Sequence, residues 1–193
     1  MKKLSYILLL MMGAVTLTGC QGYNRMVEKQ EAVTAQWGNV QNAYQRRADL
    51  IPNLVNTVKG YATHEQETFT QVTEARAKAT QMTISPENLT PESLQEYQQA
   101  QNQLSQALGR LLLIQENYPE LKANQNFLAL QDELAGTENR IAVERNKFNQ
   151  TAQDYNAYIR KFPQVIYAKW FQFEPKAYFE ATPESQTAPK VNF

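Results

Sequence analysis

The chain has 193 residues, with 19 Lys and Arg against 19 Asp and Glu, one histidine and one cysteine. That length suits one domain with a real core. A zero formal charge argues against nucleic acid as a partner and against a polybasic membrane-binding face. A lone cysteine excludes an internal disulfide. Gln, Asn, Ala and Glu are abundant and Gly is scarce, which is a helical composition.

Lys2 and Lys3 lead an apolar run over 6–17 that ends in Leu17-Thr18-Gly19-Cys20. A basic start, an apolar core and a small-residue cleavage site make a secretory signal. The run is shorter than the roughly 20 residues of a membrane-spanning helix. Leu-Thr-Gly-Cys resembles the lipobox of bacterial lipoproteins. That resemblance implies diacylglycerol on the Cys20 thiol, cleavage before Cys20 and acylation of the new amino terminus. Each buried lipid methylene contributes about 0.8 kcal/mol, so two or three chains anchor a protein durably. No cofactor beyond this covalent lipid is expected. Gln21, where other lipoproteins carry Asp, implies the outer membrane if the cell has one. The expected layout is a signal peptide over 1–19, an anchor and linker over 20–25, a helical bundle over 26–180, and a disordered Pro-, Thr-, Ser- and Gln-rich tail over 181–193.

From Met26 apolar residues recur at helical spacing: Val33, Trp37, Val40, Tyr44, Ala48, Ile51, Val55, Val58, Ala62, Phe69 and Val72. Pro52 interrupts this stripe. Inside a helix it would cost about 3 kcal/mol and force a kink. At the first turn of a new helix, capped by Asp49, it would cost little. The unbroken stripe favours one long kinked helix over 24–82. Matching helix lengths in a bundle favours two helices with a break near 47–50, because the single helix would run about 90 Å. The second layout is preferred.

A proline-rich loop follows, and Thr90 and Pro91 signal a helix start. Leu94, Tyr97, Gln101, Leu104, Leu108, Leu111 and Leu112 form a third stripe with a Gln-rich outer face. After a turn at Glu116-Asn117-Tyr118-Pro119-Glu120, a last long helix carries Phe127, Leu130, Leu134, Ile141, Phe148, Ala152, Tyr155, Ile159 and Phe162, and Pro163 ends it. The aromatic segment 165–173, with Tyr178 and Phe179, is expected to pack across the bundle. Left exposed, a patch of that size would be a partner site.

Arg46-Arg47-Ala48-Asp49-Leu50-Ile51-Pro52-Asn53-Leu54-Val55, followed by His64-Glu65, is similar to the signature of the LemA family. Tyr118-Pro119-Glu120-Leu121-Lys122-Ala123-Asn124, with Phe127 and Leu130, resembles its second block. Glu138-Asn139-Arg140-Ile141, Arg145, Asn149, Tyr155-Asn156 and Phe162-Pro163 resemble its third. The likeness covers 37–179. It implies an all-α fold, an up-and-down four-helix bundle on an N-terminal membrane anchor, facing away from the cytoplasm. It brings no catalytic activity. Many relatives look as though they keep an uncleaved membrane helix where this chain has a lipobox.

Little chemistry is legible. His64 is the only histidine and Thr68 stands four positions on, so a helical zinc pair is missing. No metal site, Gly-rich phosphate loop or nucleophile elbow is expected. One polar constellation remains: Arg46, Arg47, Asp49 and Asn53 around the first stripe, and Glu138, Arg140, Glu144, Arg145 and Asn149 in the last helix. It reads as a hydrogen-bonded layer that sets helix register, or as a partner site. Arg47 is expected to pair with Glu138 or Glu144. The chain thus reads as a lipid-anchored envelope protein whose bundle is a non-enzymatic interaction or scaffold module for other envelope proteins. Two rivals stand beside it. One is a hydrolase or sensor built on the polar constellation; the other is a ligand sensor or chaperone using the aromatic segment.

Overall fold

The computed structural model describes residues 2–180, with side chains from Gln21 onward. The described chain is all-helical, without a strand. The side chain of Cys20 and the tail over 181–193 lie outside the described residues. Six α-helices follow one another: α1 (Lys2–Lys59), α2 (Gln66–Gln81), α3 (Pro91–Leu113), α4 (Pro119–Lys122), α5 (Gln125–Ile159) and α6 (Gln164–Trp170). Short 3₁₀ turns occupy Pro86–Asn88 and Ile114–Asn117.

The chain divides into two compact units. The first takes α1 as far as Asp49 together with the chain from Asp132 to Lys176. The second takes Leu50–Gln131 and the chain from Ala177 onward.

In the first unit α1 and α5 run antiparallel. Contacts pair Lys29 with Tyr158, Trp37 with Phe148, and Arg47 with Glu138, one partner number falling as the other rises. The facing stripes are buried: Met26, Val33, Trp37, Val40 and Tyr44 from α1, and Leu134, Ile141, Phe148, Ala152 and Tyr155 from α5. This is the 3.6-residue period of both sequences expressed as one seam. Trp37 and Phe148 meet edge-on at 5.6 Å, the arrangement aromatic quadrupoles favour. Beyond α6 the chain turns at Gln172, which adopts a left-handed φ of 58°. It is then strapped to α5. The Tyr155 hydroxyl donates to the Glu174 carbonyl at 3.1 Å. The Asn156 amide exchanges two 2.8 Å hydrogen bonds with the Lys176 backbone.

In the second unit α2 and α3 form an antiparallel hairpin. Arg110 donates to Gln71 at 3.2 Å and Lys78 to Gln103 at 3.0 Å. Thr90 and Ser93 form a reciprocal capping box at the start of α3, with Pro91 in the first turn. Each side-chain oxygen of that pair satisfies an amide the helix leaves without an intrahelical partner. Asn124 caps α5, its Oδ1 accepting from the Phe127 amide at 2.9 Å.

The structure corrects the preferred layout around Pro52. There is no break near 47–50: α1 continues through Pro52 to Lys59. The break lies at Gly60 to Glu65 instead, so no single helix spans 24–82 either. Ile51, Leu54 and Val58 on either side of Pro52 are almost fully buried. At about 1.5–3 kcal/mol each, their burial outweighs the roughly 3 kcal/mol that an interior proline costs. Pro52 itself faces solvent.

A second correction concerns the aromatic segment. Ala168 and Phe179 are buried, but Trp170 is 73% exposed, Phe162 80% and Phe171 55%, and Val165, Ile166 and Tyr178 are exposed as well. A two-turn helix has only one face to bury, and α6 buries the one carrying Ala168.

Candidate functional site

The polar constellation of the first unit opens on a groove. It has a volume of about 520 Å³, walled by α1 through Asn39, Asn42 and Arg46 and by α5 through Glu133, Arg140 and Glu144. Ala43, Gly136 and Thr137 line it as well. Small residues at this point keep the wall low. A Cβ added to Gly136 would meet nothing within 4 Å, so this glycine answers no packing need inside the chain.

Glu144 is the buried acid of the site. Its side chain is 7% exposed. Gln36 Nε2 donates to Glu144 Oε2 at 2.8 Å and also to the Glu144 carbonyl at 3.2 Å. Lys147 Nζ donates to Glu144 Oε1 at 3.2 Å, and Arg140 Nε lies 3.9 Å from the same oxygen. Asn39 in turn donates to Gln36 Oε1 at 3.1 Å, which fixes the orientation of the Gln36 amide. The hydrogen bond from Gln36, aided by Lys147 and Arg140, outweighs burial and holds the Glu144 carboxyl below its ordinary range. Glu144 is therefore an anion at neutral pH.

A second cluster lies along the same seam. Arg47 is buried and its Nη1 lies 2.7 Å from Glu138 Oε1, so its ion-pair partner is Glu138 rather than Glu144. The guanidinium also lies 5.2 Å from the centre of the Tyr44 ring, a cation–π contact. Arg145 hydrogen-bonds the Tyr44 hydroxyl. Burial nevertheless raises the Tyr44 pKa, so the phenol stays protonated. On the rim, Arg46 and Glu133 pair at 3.1 Å, both partly exposed.

The structure thus brings together Arg46, Arg140 and Glu144 in the groove, with Arg47, Glu138 and Arg145 beside them on the same two helices. Asn149 is half-buried one turn beyond Arg145. Asp49 is exposed and accepts from Gln45 at 2.7 Å. Asn53 is exposed, belongs to the second unit, and offers only its carbonyl to the Thr57 hydroxyl. Sequence reasoning missed Gln36, Asn39, Asn42, Glu133 and Lys147. Their signal was weak: uncharged amides and surface charges on the flanks of an apolar stripe look like any solvated helix face. Chemically, the groove offers amides, two guanidinium groups and two carboxylates, a set suited to hydrogen bonding and charge pairing.

The LemA family model matches residues 36–193, a span that takes in both walls of the groove. The chain belongs to the LemA family. Among its relatives, magnetosome protein MamQ of Magnetospirillum gryphiswaldense is 28% identical over 182 residues, which is 86% of this chain and 67% of that protein. Magnetosome protein MamQ 2 of Paramagnetospirillum magneticum is 26% identical over the same shares. Protein LemA of Metamycoplasma hominis is 24% identical over 159 residues, 82% of this chain and 69% of its own length. All three blocks quoted above for the LemA likeness fall inside the matched span.

Proposed function

We propose that this LemA-family chain is a membrane-anchored envelope protein, facing away from the cytoplasm, whose helices form a non-enzymatic docking module. Its groove between α1 and α5 binds a polar segment of an envelope protein. The anchor is lipid on Cys20, and Gln21 directs the protein to the outer membrane of a diderm cell. The observation that carries the docking role is Glu144: a buried carboxylate kept ionised by Gln36, Lys147 and Arg140. A general acid needs a raised pKa, and a docking site needs fixed charges whose orientation is held in advance. The groove supplies the second condition. The apolar run over 6–17 and the Leu17-Thr18-Gly19-Cys20 stretch support the anchor. The name of the MamQ relatives, magnetosome proteins, accords with a role at a membrane.

The test is capture from detergent-solubilised membranes by wild type and by Arg46→Glu/Arg140→Glu. Both arginines are exposed, and because each faces an acid, Glu133 or Glu144, the comparison is made with a variant that retains wild-type helical circular dichroism and is repeated with Arg46→Gln/Arg140→Gln. A partner held by the groove is captured by wild type and lost with the variant. Identical capture by both, or turnover of a substrate that depends on Glu144, would overturn the reading.

A further inference from the structure

Apart from Val143 in the middle of α5, the exposed large apolar residues of the first unit gather at one end of it. Phe162, Val165, Ile166 and Trp170 recur at helical spacing on the outward side of α6 and just before it, and Phe171 follows. The stretch is inverted relative to an ordinary surface helix, since its large apolar side chains point to solvent and its small Ala168 points inward. Tyr23 of α1 joins the group. Its ring lies 4.9 Å from that of Phe171 and 5.7 Å from that of Phe173, both edge-on.

Tyr23 gives the patch a location. α1 is continuous from Lys2, so the apolar run over 6–17 leads directly into it. Leu17 and Tyr23 are six residues apart, about 9 Å at 1.5 Å per residue, and Cys20 is half as far. Whatever lipid the amino-terminal segment or the Cys20 thiol holds, that lipid lies within about one or two helical turns of the aromatic patch. The charges agree. Arg160, Lys161 and Lys169 flank the patch, and no acidic residue occurs from Tyr155 to Phe173. Tryptophan beside lysine is the composition of a bilayer interface, with the ring at the headgroup level and the ammonium reaching toward phosphate. Seven residues are far too few to span, so the fitting mode is a helix lying in the interface.

We infer that α6 with Phe162 and Phe171 is a second, non-covalent membrane contact, which seats the first unit on the lipid surface that holds its amino terminus. The inference rests on the membrane attachment proposed above. Trp170 is the contact's spectroscopic reporter, being exposed where Trp37 is fully buried. The contact converts a flexible tether into two points of attachment and sets the orientation of α1 and α5 relative to the bilayer.

The experiment reconstitutes the full chain into vesicles of phosphatidylethanolamine and phosphatidylglycerol, with and without brominated acyl chains. Flotation reads attachment, and tryptophan emission of wild type against Trp170→Phe reads the patch. The expected result is flotation of both proteins, with loss in brominated vesicles of part of the emission that Trp170→Phe lacks, and weaker quenching of it by aqueous acrylamide with vesicles than without them. Flotation with emission equal in both vesicle types and open to acrylamide overturns the inference and leaves the anchor standing. Shielding from acrylamide without bromine quenching, accompanied by cross-linked dimers, also overturns it, by assigning the patch to a second copy. Failure to float removes both the anchor and the contact.

Discussion

Arg47 is the residue on which the seam of the first unit depends. Its side chain is 2% exposed, while that of its partner Glu138 is 43% exposed. A fully buried pair broken on one side costs about 3–5 kcal/mol, and partial solvation of Glu138 reduces this. Glu138→Gln is expected to destabilise by about 2 kcal/mol, read as a lower urea midpoint at constant slope. A double-mutant cycle of Arg47→Met with Glu138→Gln is expected to give about 1 kcal/mol of coupling, and the same cycle with Glu144→Gln almost none. Equal coupling to both glutamates would contradict the pairing. Glu144 makes a separate prediction in pH. Its pKa is lowered in the folded state from an ordinary 4.5. Folding therefore binds fewer protons at this carboxyl, and its contribution is complete above the ordinary carboxylate range. That contribution is lost as pH falls through the folded pKa. Wild type is expected to lose stability more steeply than Glu144→Gln between neutral pH and acid, with the two unfolding curves converging at the acid end.

At the scale of elements, α1 decides the most. Matched helix lengths, with the cost of an interior Pro52, argued for a break near 47–50, and α1 instead runs through with Ile51, Leu54 and Val58 buried. The proline is thus a tolerated defect on a solvent-facing position. Pro52→Ala restores one intrahelical hydrogen bond and removes the ring clash, but frees the unfolded chain. The net expectation is a gain of about 1–2 kcal/mol, seen as a raised urea midpoint with helical circular dichroism unchanged or slightly increased. A loss of stability would mean that the backbone geometry Pro52 imposes is needed for packing. The start of α3 is the opposite case. Thr90, Pro91 and Ser93 act locally, so their roles could be read from three adjacent letters. The end of α1 at Lys59 could not, because Gly60 is a weak stop and the apolar stripe continues past it through Ala62, Phe69 and Val72.

For the whole molecule, the decisive question is how it is held at a membrane. Among the described residues no helix is long and apolar enough to cross one. The proposed lipid on Cys20 makes a mass prediction. Protein extracted from membranes is expected to lack residues 1–19 and to carry diacylglycerol and acyl mass, while Cys20→Ser stays at full length without lipid. In a diderm host, density-gradient fractions are expected to place the wild type in the outer membrane. Intact Met1 on an unlipidated wild-type chain would withdraw the anchor and the sorting argument together.

What the sequence determined by itself is the periodic part. Every position of the stripe from Val33 to Val72 is buried, as are those from Leu94 to Leu112 except half-buried Leu112 and those from Phe127 to Phe162 except half-buried Leu130 and exposed Phe162, because amphipathic spacing states directly which face of a helix meets the core. The sequence also named Arg46, Arg47, Glu138, Arg140, Glu144 and Arg145, though not Glu133, since charges inside a buried period require partners. Only the tertiary structure decided the rest. It chose Glu138 for Arg47 and gave Glu144 to Gln36 and Lys147, because partner choice depends on the rotation and stagger of two helices about a hundred residues apart in the chain. It also turned Phe162, Trp170 and Phe171 outward, where composition alone had placed them in the core. A two-turn helix carries no sustained period, so its inward face is set by what it packs against.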